Sequence, residues 1–367
     1  MNRSSLGKKA ALCLLPALVL ALALPAGLPA QPEAEELAKA YALNQEGLQL
    51  MEQGRYEEAL VKANAALELL QKVQGPDHPD VAVTLANVAQ VQAALGRFEE
   101  AVTLFKRALL IREMALGGYH PSIPPVMEAL AAVYLETGVL DNAEGLLQKS
   151  LAIREKNFGP DHPETAVGLN RLARVYLAKE DYDQAEGLLK RALDIWEKHL
   201  GPKHEATLTG LDNLAHLYQT AGKPELARPL FERMLARQEE AYGPDDPRVA
   251  ATLNSLAGLD MEQKDYAQAR PRLERALAIS EKALPADSTP LAANLNNLGH
   301  LYAALGEYGR AEPMLLRALA LFEKNLGPRH PLTTTALENL AEMYSAMGRP
   351  EKAEEYIKKM EEAKGAQ

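Results

Sequence analysis

From about residue 33 onward, apolar residues recur at three- and four-residue steps in short runs divided by glycine. In one such stretch Leu295, Leu298, Leu301 and Tyr302 share a helical face; Gly306 interrupts, and Ala311, Leu315, Ala318, Leu319 and Phe322 resume the period. The pattern predicts two amphipathic helices joined by a tight turn, repeated along the chain. Gly75, Gly117, Gly159, Gly201, Gly243 and Gly327 are separated by 42 residues or a multiple of it, with Pro285 in the remaining slot. An alanine follows 26 positions after each start, at Ala101, Ala143, Ala185, Ala227, Ala269, Ala311 and Ala353, and Ala59 extends the ladder backwards. Units are expected to start near 33, 75, 117, 159, 201, 243, 285 and 327, so that residues 31–367 form one repeat array without a second domain.

The boundaries carry their own signals. A proline near the first turn, as in Asp77-His78-Pro79-Asp80, suits the unpaired N–H groups of a helix start, and the adjacent acid suits its positive end. Gly96, Gly138, Gly222, Gly306 and Gly348 end the first helices where a left-handed residue is needed. Glu180 and Lys264 replace that glycine in two units, and each is followed by an aspartate, Asp181 or Asp265, suited to capping the second helix. Pro229, Pro271 and Pro313 fall inside second helices, where a local bend is expected.

Residues 1–30 read differently. Arg3, Lys8 and Lys9 precede the uncharged run Ala10 to Leu24, which leads into Pro25-Ala26-Gly27-Leu28-Pro29-Ala30. This is the layout of a signal peptide with cleavage near Ala30. A run of 15 residues is short of the roughly 20 needed to span a bilayer. The mature chain is therefore expected to be periplasmic or secreted and to have no membrane span. It would also lack Cys13, the only cysteine, and with it any thiol chemistry. Composition agrees with an all-α chain: 47% of residues are apolar but only 5% aromatic. With 50 acids against 40 Lys and Arg and a net charge of −10, no basic block offers a nucleic-acid surface.

Leu298, Gly299, Tyr302, Ala311, Leu315 and Ala318 have the spacing of the tetratricopeptide signature. So do Leu214, Ala215, Tyr218 and Ala227; Leu172, Ala173, Tyr176, Ala185 and Ala192; and Leu340, Ala341, Tyr344 and Ala353. The chain resembles a tetratricopeptide repeat protein over nearly its whole length beyond the leader. Segments such as Asn296 to Tyr302 and Arg154 to Pro163 resemble the 42-residue repeats of the kinesin light chain type. The resemblance implies an all-α, right-handed superhelical solenoid of about eight stacked helix-turn-helix units, with the first helices lining a concave face. Stacking is also a physical necessity, because one helix pair cannot cover its own apolar stripe.

The resemblance also implies that a peptide is held by first-helix residues. Just before the core leucine stand Asn87, Asn213, Asn297 and Asn339, with Arg171 in a fifth unit; Asn170, Asn254 and Asn296 precede them, and Arg174, His216 and His300 lie three positions further along. Amides both donate and accept, so such a row can pair with the backbone of an extended ligand. The alternative is that these asparagines bond to neighbouring helices and set repeat packing. Arg171 and Arg174, three apart, either grip a carboxylate or pair with Glu136 and Asp212. Glu128, Glu262, Glu338 and Glu342 in the same lane argue against a uniformly basic clamp and for a mixed ligand.

His78, His120, His162, His204 and His330 belong to turns of different units, about 10 Å apart or more given helix spacings of about 8–10 Å, too far to share one metal ion. No phosphate loop, nucleophile elbow or His-Glu-x-x-His motif occurs. Neither an enzyme nor a metal, cofactor or small-molecule substrate is expected. The expected function is a non-enzymatic scaffold binding a protein or extended peptide in the cell envelope or outside the cell. The alternatives are a self-associating structural array and an accessory subunit of an envelope enzyme complex.

Overall fold

The computed structural model describes residues 31–365. The expected leader, with Cys13 and the cleavage site near Ala30, lies outside the described residues. Among those residues there are sixteen α-helices and no strand. The chain divides after Ile195 into two compact units. The first holds α1 (Gln31–Glu52), α2 (Tyr56–Gln74), α3 (Pro79–Ala94), α4 (Phe98–Leu116), α5 (Ile123–Glu136), α6 (Leu140–Phe158), α7 (Pro163–Ala178) and most of α8 (Tyr182–Leu200). The second holds α9 (Glu205–Thr220), α10 (Pro224–Tyr242), α11 (Pro247–Glu262), α12 (Tyr266–Ala283), α13 (Thr289–Ala304), α14 (Tyr308–Leu326), α15 (Pro331–Ala346) and α16 (Pro350–Gly365). Within each unit consecutive helices pack together, and odd-numbered first helices also touch one another, as α3 touches α5 and α13 touches α15. Each unit is an all-α solenoid of stacked helix pairs.

The turn chemistry explains the register. His78, His162, His204 and His330 cap first helices: each ring Nδ1 accepts from the backbone N–H two residues on, at 3.1–3.2 Å. Asp246 does the same for α11 at 2.9 Å. In three of the four cases a proline follows the histidine, fixing φ for the first helical residue without wasting a donor. Glu180 and Lys264 adopt the left-handed conformation that glycine takes elsewhere, with φ of 61° and 59°. This costs a side-chain-bearing residue about 1 kcal/mol or more. The following Asp181 and Asp265 accept from the N–H groups of Gln184 and Gln268, both at 3.2 Å, and so cap the second helix. Helices α10, α12 and α14 run through Pro229, Pro271 and Pro313 without a break.

The alanine ladder marks where paired helices come closest. Ala59, Ala101, Ala143, Ala185, Ala227, Ala269 and Ala311 are fully buried, so a larger side chain there would force the pair apart. The tightest approach is at Gly299, where an added Cβ would stand 2.8 Å from Leu315 Cγ.

In three pairs the signature tyrosine of the first helix bonds to the second helix of the preceding pair. Tyr176 donates to Glu144 at 2.9 Å, Tyr302 to Glu274 at 2.8 Å and Tyr344 to Glu312 at 2.5 Å. Unit 2 breaks this rule once. Asp260 occupies the tyrosine position of α11, fully buried, and accepts from Arg228 of α10 at 2.7 Å and from Arg272 of α12. Arg272 stands where the equivalent second-helix residues are Leu230 and Met314, so the carboxylate and its second cation arise in the same repeat.

Candidate functional site

First-helix side chains fall into two classes. In unit 1, Asn87 is buried and donates to Asn44 Oδ1 at 3.0 Å. In unit 2, buried Asn339 donates to buried Asn296 at 2.9 Å, and Asn297 donates to Asn254 at 3.3 Å. Each pair joins residues 43 apart, on successive first helices. The same two positions hold Ala86 and Ala129, both buried. They hold Glu128 and Arg171 one unit later. At three of these steps within the units an amide meets an amide. Asn87, Asn296 and Asn339, candidate peptide contacts from the sequence, are buried and bond to a neighbouring first helix, as a packing role would require.

The charged step of unit 1 is a network. Arg154 Nε reaches Glu128 Oε1 at 2.9 Å and Nη2 reaches Oε2 at 3.2 Å, while Ser150 donates to the same carboxylate at 2.8 Å. Arg154 also pairs with Glu164. Arg171 feels burial first, which lowers its pKa, then attraction to Glu128 and repulsion from Arg154. Arg174 is likewise lowered by burial and by Arg171, with Glu136 opposing. Glu128 thus raises the pKa of Arg171, and Glu136 that of Arg174, both against burial. Asn170 is half-buried on this row.

In unit 2 the row opens into a groove. Between α11 and α13 lies a cavity of about 350 Å³ whose lining includes Asn254, Asn297 and His300, three of the residues named from sequence. Its apolar lining comes from Ala257, Met261 and Leu273, with Tyr266 of α12, and Glu262 stands exposed at its rim. Gly258, not singled out from sequence, also lines it. Asn254 is already engaged with Asn294, so Asn297 and Asn254 present a hydrogen-bonded polar edge beside an apolar pocket. Convergent polar groups around an apolar hollow are the usual form of a recognition site. Asn213 is half-buried on α9, and His216 beside it packs edge-on against Phe231 with ring centroids 5.2 Å apart.

His216 and His300, at equivalent positions, differ electrically. Burial lowers the His216 pKa, but Asp212, 3.4 Å away, and Gln219 raise it and prevail, so it lies above 6.5. Burial lowers His300 below 6.5, and the charge of Glu342 only partly offsets this. Histidine side-chain NMR across the neutral range is expected to show His216 losing its proton at higher pH than His300; coincident titrations would refute the contrast.

Among the described residues no group of His, Cys, Asp or Glu is placed to hold a metal ion, and no helix is long and apolar enough to cross a membrane.

A family model described as tetratricopeptide repeat matches residues 39–114, 122–198, 168–240, 206–282 and 290–364. Among solved structures the chain is similar to the nearly identical TPR-like repeats of the kinesin light chain kind from Podosopora anserina: 26% identity over 56% of this chain and 97% of that one, TM-score 0.51. It is similar in fold to the apo quorum sensor NprR from B. thuringiensis, at 15% identity over 88% of this chain and 87% of that one, TM-score 0.65. RapI in its apo form aligns at 16% identity over 78% of this chain and 98% of that one, TM-score 0.54. A comparison with curated proteins finds no match. The matched segments span most of the chain and fall on the same stacked helix pairs, with the same alanines and tyrosines at their contacts: the chain belongs to the tetratricopeptide repeat family.

Proposed function

We propose that this protein is a non-enzymatic scaffold that holds an extended peptide or a segment of a partner protein along its first-helix face. The observation that carries this reading is the groove between α11 and α13, where Asn254, Asn297 and His300 meet an apolar hollow with an exposed rim. Asn213, His216, Arg171, Arg174 and Asn170 extend the proposed contact row within their respective units, while the buried Asn87, Asn296 and Asn339 keep the helices in step. The basic start and apolar run of residues 1–30 support export to the envelope or beyond.

The test uses the protein as bait against an extract of its own cells, beside a variant carrying Asn297→Ala and His300→Ala. The partner captured by the first is expected to be lost from the second, with helicity and unfolding midpoint unchanged within a few degrees. Equal capture by both overturns the groove. Mass that rises with concentration and ignores the substitutions favours self-association instead, for which the cavity of about 520 Å³ between α15 and α16, with Ile357 exposed on it, is the evident contact.

A further inference from the structure

Along unit 2, His216, Gly258, His300 and Glu342 occupy the same position on successive first helices, and Gly258 alone has no side chain. The hollow between α11 and α13 opens there. An added Cβ at Gly258 finds its nearest neighbour, Gln219 Nε2, only at 4.0 Å, so the space is free for a side chain from elsewhere. Met261, Tyr266 and Leu273 make that space apolar.

The first helices around it carry more acids than bases. Helices α9, α11, α13 and α15 contribute Asp212, Glu262, Glu338 and Glu342 to this face, whereas their sequences contain a single Lys or Arg. That residue, Arg248, sits in the first turn of α11 and is paired with Asp246 at 2.7 Å. The buried Asp260 is paired from the second-helix side with both Arg228 and Arg272, one carboxylate against two guanidinium groups. Exposed Glu262 accepts from the neutral amide of Gln219 at 3.4 Å, and exposed Glu342 acts on His300, so both present acidic character to a partner. An anionic partner would be repelled, and a second copy of this chain, with its net charge of −10, is poorly matched.

We propose that the groove between α11 and α13 takes a cationic peptide in extended form, with one bulky apolar side chain seated over Gly258 and Lys or Arg beside it meeting Glu262 and Glu342. The inference rests on the scaffold reading above and specifies its ligand. First helices about 8–10 Å apart and an extended chain rising about 3.3 Å per residue give roughly three peptide residues per helix. A cation next to the apolar residue thus reaches Glu262 on α11, and one about three to six residues onward reaches Glu342 on α15.

Three dye-labelled nine-residue peptides on a Ser/Thr backbone test this by fluorescence anisotropy with the whole protein: Phe at the centre with Lys on either side and again four residues onward, the same with Glu for every Lys, and the Lys peptide with Ala for Phe. The Lys–Phe peptide is expected to bind, the Ala version about tenfold more weakly, and the Glu version not measurably. Gly258→Leu fills the space and should weaken the Lys–Phe peptide about tenfold, while leaving helicity and unfolding midpoint intact because leucine favours helix over glycine. Glu262→Gln and Glu342→Gln should each weaken it roughly threefold at low salt, less at high salt.

Equal binding of the Lys and Glu peptides overturns the cationic ligand; if Gly258→Leu then weakens both, the scaffold reading stands. Binding indifferent to Gly258→Leu removes the groove itself. Failure of all three peptides, while a native partner is still captured in a His300-dependent way, refutes the ligand class and leaves the scaffold. A dimer in light scattering that Gly258→Leu dissolves assigns the groove to a second copy and overturns the proposal.

Discussion

Asp260→Ala is expected to lower the unfolding free energy by about 3–5 kcal/mol, the usual cost of leaving buried charge unpaired. Asp260 is fully buried, and its two carboxylate oxygens serve Arg228 and Arg272, whose side chains are only 26% and 20% exposed. Removing the carboxylate strands two guanidinium groups against each other on the second helices. The pair Asp260→Tyr with Arg272→Leu should behave quite differently, because it rebuilds what neighbouring repeats already contain. Arg228 is equivalent to Arg270, which lies over the Tyr302 ring at 5.5 Å, and keeps its bond to Gln263 at 3.0 Å. The double variant is therefore expected near or above wild-type stability, as when a buried ion cluster gives way to packed apolar residues of similar volume. Urea unfolding followed by circular dichroism, with midpoint and slope both reported, measures this. A loss below about 1 kcal/mol for Asp260→Ala, or a double variant as unstable as the single, would contradict the account.

A second large effect is expected at the step from α13 to α15. Asn339→Ala deletes the donor to Asn296 Oδ1, at 2.9 Å, and leaves a buried carbonyl unpaired, at a cost of about 1–3 kcal/mol. Asn296→Ala should cost a similar amount for the mirror reason. Together they should cost less than the sum by about 1 kcal/mol or more, since Ala86 and Ala129 show that the same pair of positions accepts two methyl groups. A double-mutant cycle in urea reads the coupling. Strict additivity would mean that the two amides do not hold the helices in step.

Much of the fold was legible in the chain itself. Turn histidines, positive-φ glycines and second-helix aspartates each act locally, through bonds to groups two or three residues away, so the sequence pattern suffices to place them. The exception at Asp260 was legible too: an aspartate where Tyr218 and Tyr302 mark the motif, and Arg272 where Leu230 and Met314 stand, announce a departure from the repeat. Sequence reading passed over it because a carboxylate at a helix end looks solvated until the arginines of two other helices are placed around it. Of the groove, Asn254, Asn297 and His300 were named in advance. Gly258 was not, because an absent side chain has meaning only beside the helices that leave its space empty.

The amino-acid sequence by itself determined the repeat, the helix pairs, their caps and the alanine contacts, since these depend on local propensity and on a period that every unit restates. Only the tertiary structure decided which paired asparagines are buried between first helices and which, equally paired, also border the groove. That distinction rests on contacts between residues 43 apart, on successive first helices. Contacts at that separation depend on how side-chain volumes pack between the helices, which no local pattern of polar residues records.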